Sequence, residues 1–165
     1  MTVTSVEKDP VALTLTITSE LAAPVDRAWQ LWTDPRQLER WWGPPTYPAT
    51  FVDHDLSPGA RVSYFMTGPS GDKAYGYWDV VAVDPPHRLE VRDGFADDSG
   101  EPTDTPGPGV MIVTLTETAD GAGTVMVIES QFPSAAEMEQ LLAMGQEEGM
   151  VAALSQIEAI LADTA

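Results

Sequence analysis

The sequence predicts an α+β fold in which a curved antiparallel sheet of about six to seven strands wraps around a long C-terminal helix. Three observations predict it. Two short helical segments follow an early strand, strands separated by turn residues fill the middle of the chain, and the end repeats apolar side chains at helical spacing. The length of 165 residues is that of one domain. We therefore expect a single domain over 1–165, with about residues 1–12 as a flexible N-terminal lead.

The first strand and the two short helices have local sequence signals. Between residues 13 and 18, Leu and Ile alternate with Thr, which is the period of a half-buried strand. Pro24 stands where a helix begins, since proline is favoured in the first helical turn. Asp34 followed by Pro35 indicates the start of a second helix, and Gly43 with two prolines ends it.

Six further strands are predicted before the final helix. Turns rich in Gly, Pro and Asp separate them. The predicted strands cover residues 49–54, 61–67, 74–83, 88–93, 110–118 and 124–132. Residues 97–109 are too polar for a core and predict a long loop over the sheet edge or the mouth of a cavity.

The final helix has a clear predicted start. Ser134 is a suitable N-cap, and Glu137 three residues later completes a capping box. A wide apolar stripe of this kind must pack against a large surface, which here is the sheet. The stripe consists of Met138, Leu141, Leu142, Gly145, Gly149, Ala153, Ile157 and Ile160.

Charge and composition exclude several classes of function. The chain has 26 acidic and 8 basic residues, for a net charge of −18. Nucleic acids and anionic membranes are therefore not expected as partners, because both are bound through Lys and Arg. The absence of Cys excludes disulfides and zinc–thiolate sites. No signal peptide or membrane-spanning run is apparent, so we expect a cytoplasmic monomer or homodimer without a cofactor.

Several short motifs resemble one known family. Residues 23–29 and the Trp-Trp-Gly-Pro run at 41–44 resemble the opening of proteins similar to the activator of the 90-kDa heat-shock protein ATPase, a branch of the SRPBCC or START-like superfamily. The turn sequences at 55–61, 68–71 and 84–89 match that branch in the same order. The resemblance implies a helix-grip fold with an apolar ligand cavity between the sheet and the last helix. Gly149-Met150 stands where the family often has Gly-Trp, so the resemblance does not imply which ligand is bound.

The phase of the strands selects the side chains that face the helix. Polar residues mark the outer face of each strand, and their neighbours point inward. Ordinary core packing is the alternative role for any one inward residue. The residues expected to line the cavity are Trp42, Tyr64, Met66, Trp78, Val91, Phe95, Met111, Val113, Met126, Ile128, Ser130, Met138, Leu142 and Gly145.

Two polar residues are candidates for catalysis. Asp93 lies on the inward phase of its strand, where an apolar pocket would raise its pKa and make it a general acid or base. The alternative is a strand-end Asp that turns out into solvent. Tyr64 could orient a polar group of a ligand. No metal site is expected at His54, because the flanking Asp53 and Asp55 point to the opposite face of a strand.

Three functions are compatible with these features. Binding of a small apolar or aromatic molecule in the cavity ranks first, because an enzyme needs a convergent pair of polar groups and only Asp93 and Tyr64 qualify. A second hypothesis is an enzyme resembling the polyketide cyclases and aromatases, with the reaction in the same cavity. A third is an ATPase activator similar to the co-chaperones.

Overall fold

The computed structural model describes residues 3–103 and 107–163. Within them the chain forms one sheet of eight antiparallel strands in the order β1-β2-β8-β7-β6-β5-β4-β3. The strands are β1 (Val3–Asp9), β2 (Thr14–Leu21), β3 (Ala49–Asp53), β4 (Arg61–Thr67), β5 (Lys73–Asp84), β6 (Arg88–Ala96), β7 (Gly109–Glu117) and β8 (Thr124–Gln131). The helices are α1 (Val25–Thr33), α2 (Pro35–Trp41), α3 (Ala135–Ala143), α4 (Gln146–Leu154) and α5 (Ile157–Asp163).

This architecture confirms the predicted α+β helix-grip class, with more strands than expected. The additional strand is β1, so the prediction of a flexible lead over about residues 1–12 does not hold for residues 3–9. β1 pairs with β2 along its length, and Val3 and Val6 pack against the core. The carboxylate of Asp9 accepts hydrogen bonds from the backbone N–H groups of Val11 and Ala12 and closes the turn between the two strands. Pairing with β2 stabilises β1, whose own sequence has no regular alternation.

The C-terminal helical segment is divided into α3, α4 and α5, where the sequence predicted one continuous helix. α3 begins at the predicted N-cap, since the Ser134 hydroxyl accepts a hydrogen bond of 3.1 Å from the backbone N–H of Glu137. The Glu137 carboxylate accepts a hydrogen bond of 3.1 Å from the backbone N–H of Gly107, in place of the predicted second half of the capping box. The first break is at Gly145, whose φ of +91° is a left-handed conformation that glycine adopts without strain. The second break precedes Ile157. There the Gln156 amide donates a 2.7 Å hydrogen bond to the carbonyl of Gly43.

The two short helices follow their predicted signals. Pro35 is the first residue of α2, and the Asp34 carboxylate accepts a hydrogen bond of 2.9 Å from the backbone N–H of Arg36. The expected loop at 97–109 lies where it was predicted to within one residue, since β6 ends at Ala96 and β7 begins at Gly109. Residues 104–106 of that loop lie outside the described residues. No helix in the described ranges has both the length and the apolar character needed to cross a bilayer.

Aromatic side chains fill the centre of the core beneath α1 and α2. Trp32 and Trp41 are fully buried, with their ring centroids 4.8 Å apart. The ring centroids of Trp42 and Trp78 lie 4.9 Å apart, and the rings pack edge to face, a favourable arrangement for two aromatic rings. Phe51 joins the cluster from β3. Among these aromatic residues, Trp42 also lines the cavity described next.

Candidate functional site

A cavity of about 320 Å³ lies between one end of the sheet and helices α3 and α4. Strand β4 contributes Tyr64 and Met66 to its wall, and β6 contributes Asp93 and Phe95. The helical side of the wall includes Gly145 and Met150. The remaining lining residues among those described are Trp42, Pro44, Gly94, Gly107, Gly109, Val110, Ser130, Gln131, Phe132, Pro133, Leu141, Met144, Gln146 and Gly149.

The structure brings some of the predicted cavity residues to this wall and leaves others in solid core. Those that line the cavity are Trp42, Tyr64, Met66, Phe95, Ser130 and Gly145, together with the candidate acid Asp93. Those buried in the core away from the wall are Trp78, Val91, Met111, Val113, Met126, Ile128 and Met138. Leu142 is partly buried against the core and does not line the cavity.

The predicted residues divide according to their position along the strands, since only those near one end of the sheet reach the cavity. The period of a strand identifies which side chains face inward. The predicted inward strand residues that do not line the cavity are all buried, namely Trp78, Val91, Met111, Val113, Met126 and Ile128. Periodicity does not identify where along the strands the sheet and helices separate. They separate near the end of β6 at Asp93 and the start of β7 at Gly109. The inner residues closer to α1 therefore pack as core.

The sequence analysis did not name most of the helical and loop residues of the wall. Gly149 and Met150 had a signal, the departure from the family's Gly-Trp. Gly107 and Gly109 had a weaker one, their place in a polar loop expected near the cavity mouth. Leu141 belonged to the apolar stripe of the predicted helix but was not expected at the cavity, and Met144 had no signal. Both lie next to the break at Gly145 and line the cavity.

Asp93 projects into the cavity rather than into solvent. It is paired with Trp78 of β5 and with Gly109 of β7 in the sheet register. Burial raises the pKa of its carboxyl to about 6, and a hydrogen bond from its own backbone N–H offsets only part of that rise. Among the described lining residues there is no Lys, Arg or His that could form an ion pair with it. Asp93 therefore lines the cavity as a carboxyl group without a cationic partner among the described lining residues.

Tyr64 lies beside Asp93, and its ring packs against Gly76, its partner residue on β5. A Cβ at Gly76 would come within 2.5 Å of the Tyr64 hydroxyl, so the ring occupies space that only glycine leaves open. Burial raises the pKa of Tyr64 above its usual range. The indoles of Trp42 and Trp78 lower that pKa, while the charge of Asp93 raises it further.

The two indole N–H groups near Tyr64 are not satisfied by hydrogen bonds. Both Nε1 atoms lie close enough to act on the Tyr64 hydroxyl, yet neither makes a hydrogen bond of acceptable geometry with any described residue. The neighbouring tryptophans differ, since Trp41 donates to the Leu31 carbonyl at 3.0 Å and Trp32 to the Met126 sulfur at 3.4 Å. An indole N–H is a donor only, so a buried one without a partner carries a free-energy cost.

The histidines take no part in this site. His54 Nε2 lies 2.9 Å from the carbonyl oxygen of Trp32, and His87 Nε2 lies 2.8 Å from Glu117 Oε1. In the described part of the chain, no three or more His, Asp or Glu side chains cluster in a way that could hold a metal ion.

Comparison with known proteins gives the family. A family model described as "Activator of Hsp90 ATPase homolog 1-like protein" matches residues 22–162. The crystal structure of protein Ms6760 from Mycobacterium smegmatis is 50% identical, with a TM-score of 0.89 over 99% of both chains. A solution structure from Arthrobacter aurescens is 47% identical, with a TM-score of 0.93 over 99% of this chain and 94% of that one.

A more distant likeness shows the fold alone. DynU16, from the dynemicin biosynthetic locus, is 24% identical, with a TM-score of 0.60 over 86% of this chain and 45% of its own. No curated protein sequence matches. The family match and the two similar structures agree with the fold described above. The chain belongs to the activator of Hsp90 ATPase homolog 1-like family.

Proposed function

We propose that the chain binds a small apolar or aromatic molecule in the cavity between the sheet and helices α3 and α4. The observation that carries the proposal is the cavity itself. Its volume of about 320 Å³ lies in the range of small-molecule sites. Aromatic and thioether side chains such as Phe132, Met66 and Met150 form much of its wall. Methionine adapts to ligands of different shape.

The polar groups of the cavity support a bound molecule that is oriented rather than simply enclosed. They converge at the end where Asp93, Tyr64 and Trp42 meet. The indole N–H of Trp42 has no acceptor among the described residues, and Asp93 has no cationic partner there. A mostly apolar wall with a few polar groups at one end is the usual arrangement of small-molecule sites.

We expect the neutral dye Nile red to bind the native protein at one molecule per chain and to lose binding in a Met150→Trp variant. The larger indole should fill the cavity from α4 and occupy the space of the dye. Dye fluorescence during titration measures both effects. Gln140→Trp is the matched control, because Gln140 is exposed on α3 and does not line the cavity. Dye binding only under partly denaturing conditions, or equal binding by both variants, would contradict the proposal.

Catalysis in the same cavity is a second candidate. It is favoured by the raised pKa of Asp93, about 6, in a site shared with the Tyr64 hydroxyl. A carboxylate with that pKa can remove a proton from carbon next to a ketone, while a phenol hydroxyl donates a hydrogen bond to the developing enolate oxygen. The proton taken by Asp93 returns to the same carbon or exchanges with solvent.

Deuterium exchange tests this candidate without knowledge of the natural substrate. The enzyme hypothesis predicts that the protein accelerates exchange of the methylene protons of benzoylacetone in D2O and that Asp93→Asn removes the acceleration. Proton NMR of the diketone measures the rate. Unchanged exchange in the presence of protein, with Nile red bound normally, would leave binding as the function.

A further inference from the structure

The charged side chain among the described lining residues of the cavity is negative. Asp93 is the carboxyl group of the described wall, and none of the described lining residues carries a positive charge. The whole chain adds to this field with a net charge of −18. An anionic ligand would meet a carboxylate without a compensating cation. A neutral ligand would leave that carboxylate buried and unpaired, which is costly.

The aromatic rings around Asp93 are of the kind that binds organic cations in proteins. Trp42 and Tyr64 lie at its end of the cavity, with ring centroids 6.1 Å apart and planes at 87°. Phe95 lies on the same strand two residues beyond Asp93. An ammonium group is attracted to the faces of such rings, and the attraction strengthens where water is excluded.

We infer that the cavity selects a lipophilic amine, an apolar body with one protonated nitrogen placed against Asp93, over neutral and anionic molecules of the same shape. This inference rests on the proposed binding function and adds the chemical class of the ligand. The nitrogen donates to the Asp93 carboxylate and contacts the Tyr64 and Trp42 rings. The apolar body lies along Met66, Phe132 and Met150.

Protonation of Asp93 should control amine binding. Burial holds its pKa at about 6, so the carboxylate is ionised at neutral pH and becomes neutral as the pH falls below 6. The other titratable groups near the site are Tyr64 on β4, Tyr77 on β5, and Glu137 and Glu148 on the helices. Both tyrosines have raised pKa values and stay neutral in this range. A bound ammonium favours the charged form of Asp93 and should lower its pKa.

Three matched probes test the inference: 4-phenylbutylamine, 4-phenylbutanol and 4-phenylbutyrate. By calorimetry at about pH 8, we expect the amine to bind about tenfold more tightly than the alcohol, with the carboxylate weakest. At about pH 5 the advantage of the amine over the alcohol should fall several-fold, because Asp93 is then mostly protonated. Asp93→Asn should remove the advantage at both pH values. Glu139→Gln, which removes one exposed charge outside the cavity, should retain it.

A second measurement uses the unmodified protein. The chemical shift of the Asp93 carboxyl carbon, titrated with and without saturating 4-phenylbutylamine, should report a lower pKa in the complex. Equal affinities of amine and alcohol would overturn the inference while leaving the proposed binding function intact. Failure of all three probes and of Nile red to bind would overturn both. An amine preference that persists in Asp93→Asn would assign the effect to the net charge of the protein and would contradict the role of Asp93.

Discussion

Replacing Asp93 with asparagine is expected to stabilise the protein against unfolding by about 2 kcal/mol at about pH 8. In the folded state burial raises the pKa of this carboxyl from 3.8 to about 6. The unfolded chain therefore releases the proton at lower pH than the folded chain does. Between those two pKa values the folded state loses stability as the pH rises, and above about 6 the loss is complete. It amounts to about 3 kcal/mol at most. Asparagine avoids the charge but still places an amide in the cavity, so we expect part of that amount to be recovered.

Urea unfolding of the wild type and of Asp93→Asn across a range of pH measures this effect. The difference in unfolding free energy should be small near pH 4 and reach its full value above about pH 6. The comparison must be made between variants at the same pH, because carboxylates such as Asp34 and Asp72 have lowered pKa values and change stability in the opposite direction. Glu139→Gln serves as the control for loss of one surface charge. A difference that does not vary with pH would show that Asp93 is not desolvated.

Replacing Gly43 with alanine is expected to destabilise the protein by about 3 kcal/mol. A Cβ at this position would overlap the carbonyl oxygen of Tyr47 and approach the backbone nitrogen of Ala49 to 3.0 Å. Backbone atoms cannot rotate away as a flexible side chain can, so the loop after α2 would have to move. That movement would also strain the 2.7 Å hydrogen bond from the Gln156 amide to the Gly43 carbonyl.

Gly149→Ala is the matched control, and its predicted effect has the opposite sign. Gly149 lies inside α4, and a Cβ there would meet nothing within 4 Å. Alanine in a helix interior is more favourable than glycine by about 1 kcal/mol, so the variant should be slightly more stable. Thermal or urea unfolding of both variants gives the comparison. Similar stability changes in the two variants would contradict the close backbone approach at Gly43.

Both tests concern features that a linear sequence does not display. Gly43 stands in a Trp-Trp-Gly-Pro run and looks like an ordinary helix stop, whereas the folded chain places the Tyr47 carbonyl against it. The inward phase of Asp93 was readable from its strand. That no described lining residue is a cationic partner depends on which residues β7, β8 and the helices bring to the same end of the sheet.

The sequence by itself determined the fold class, the faces of the strands and the starts of α1, α2 and α3. These depend on interactions between near neighbours, such as the alternation in β2 and the Ser134 and Asp34 caps. Only the tertiary structure decided the rest. It pairs β1 with β2, divides the last helix at Gly145 and opens the cavity at one end of β6, with Met126 and Trp78 left in the core. Those outcomes depend on contacts between residues far apart in the chain, and the periodicity of a single segment carries no record of them.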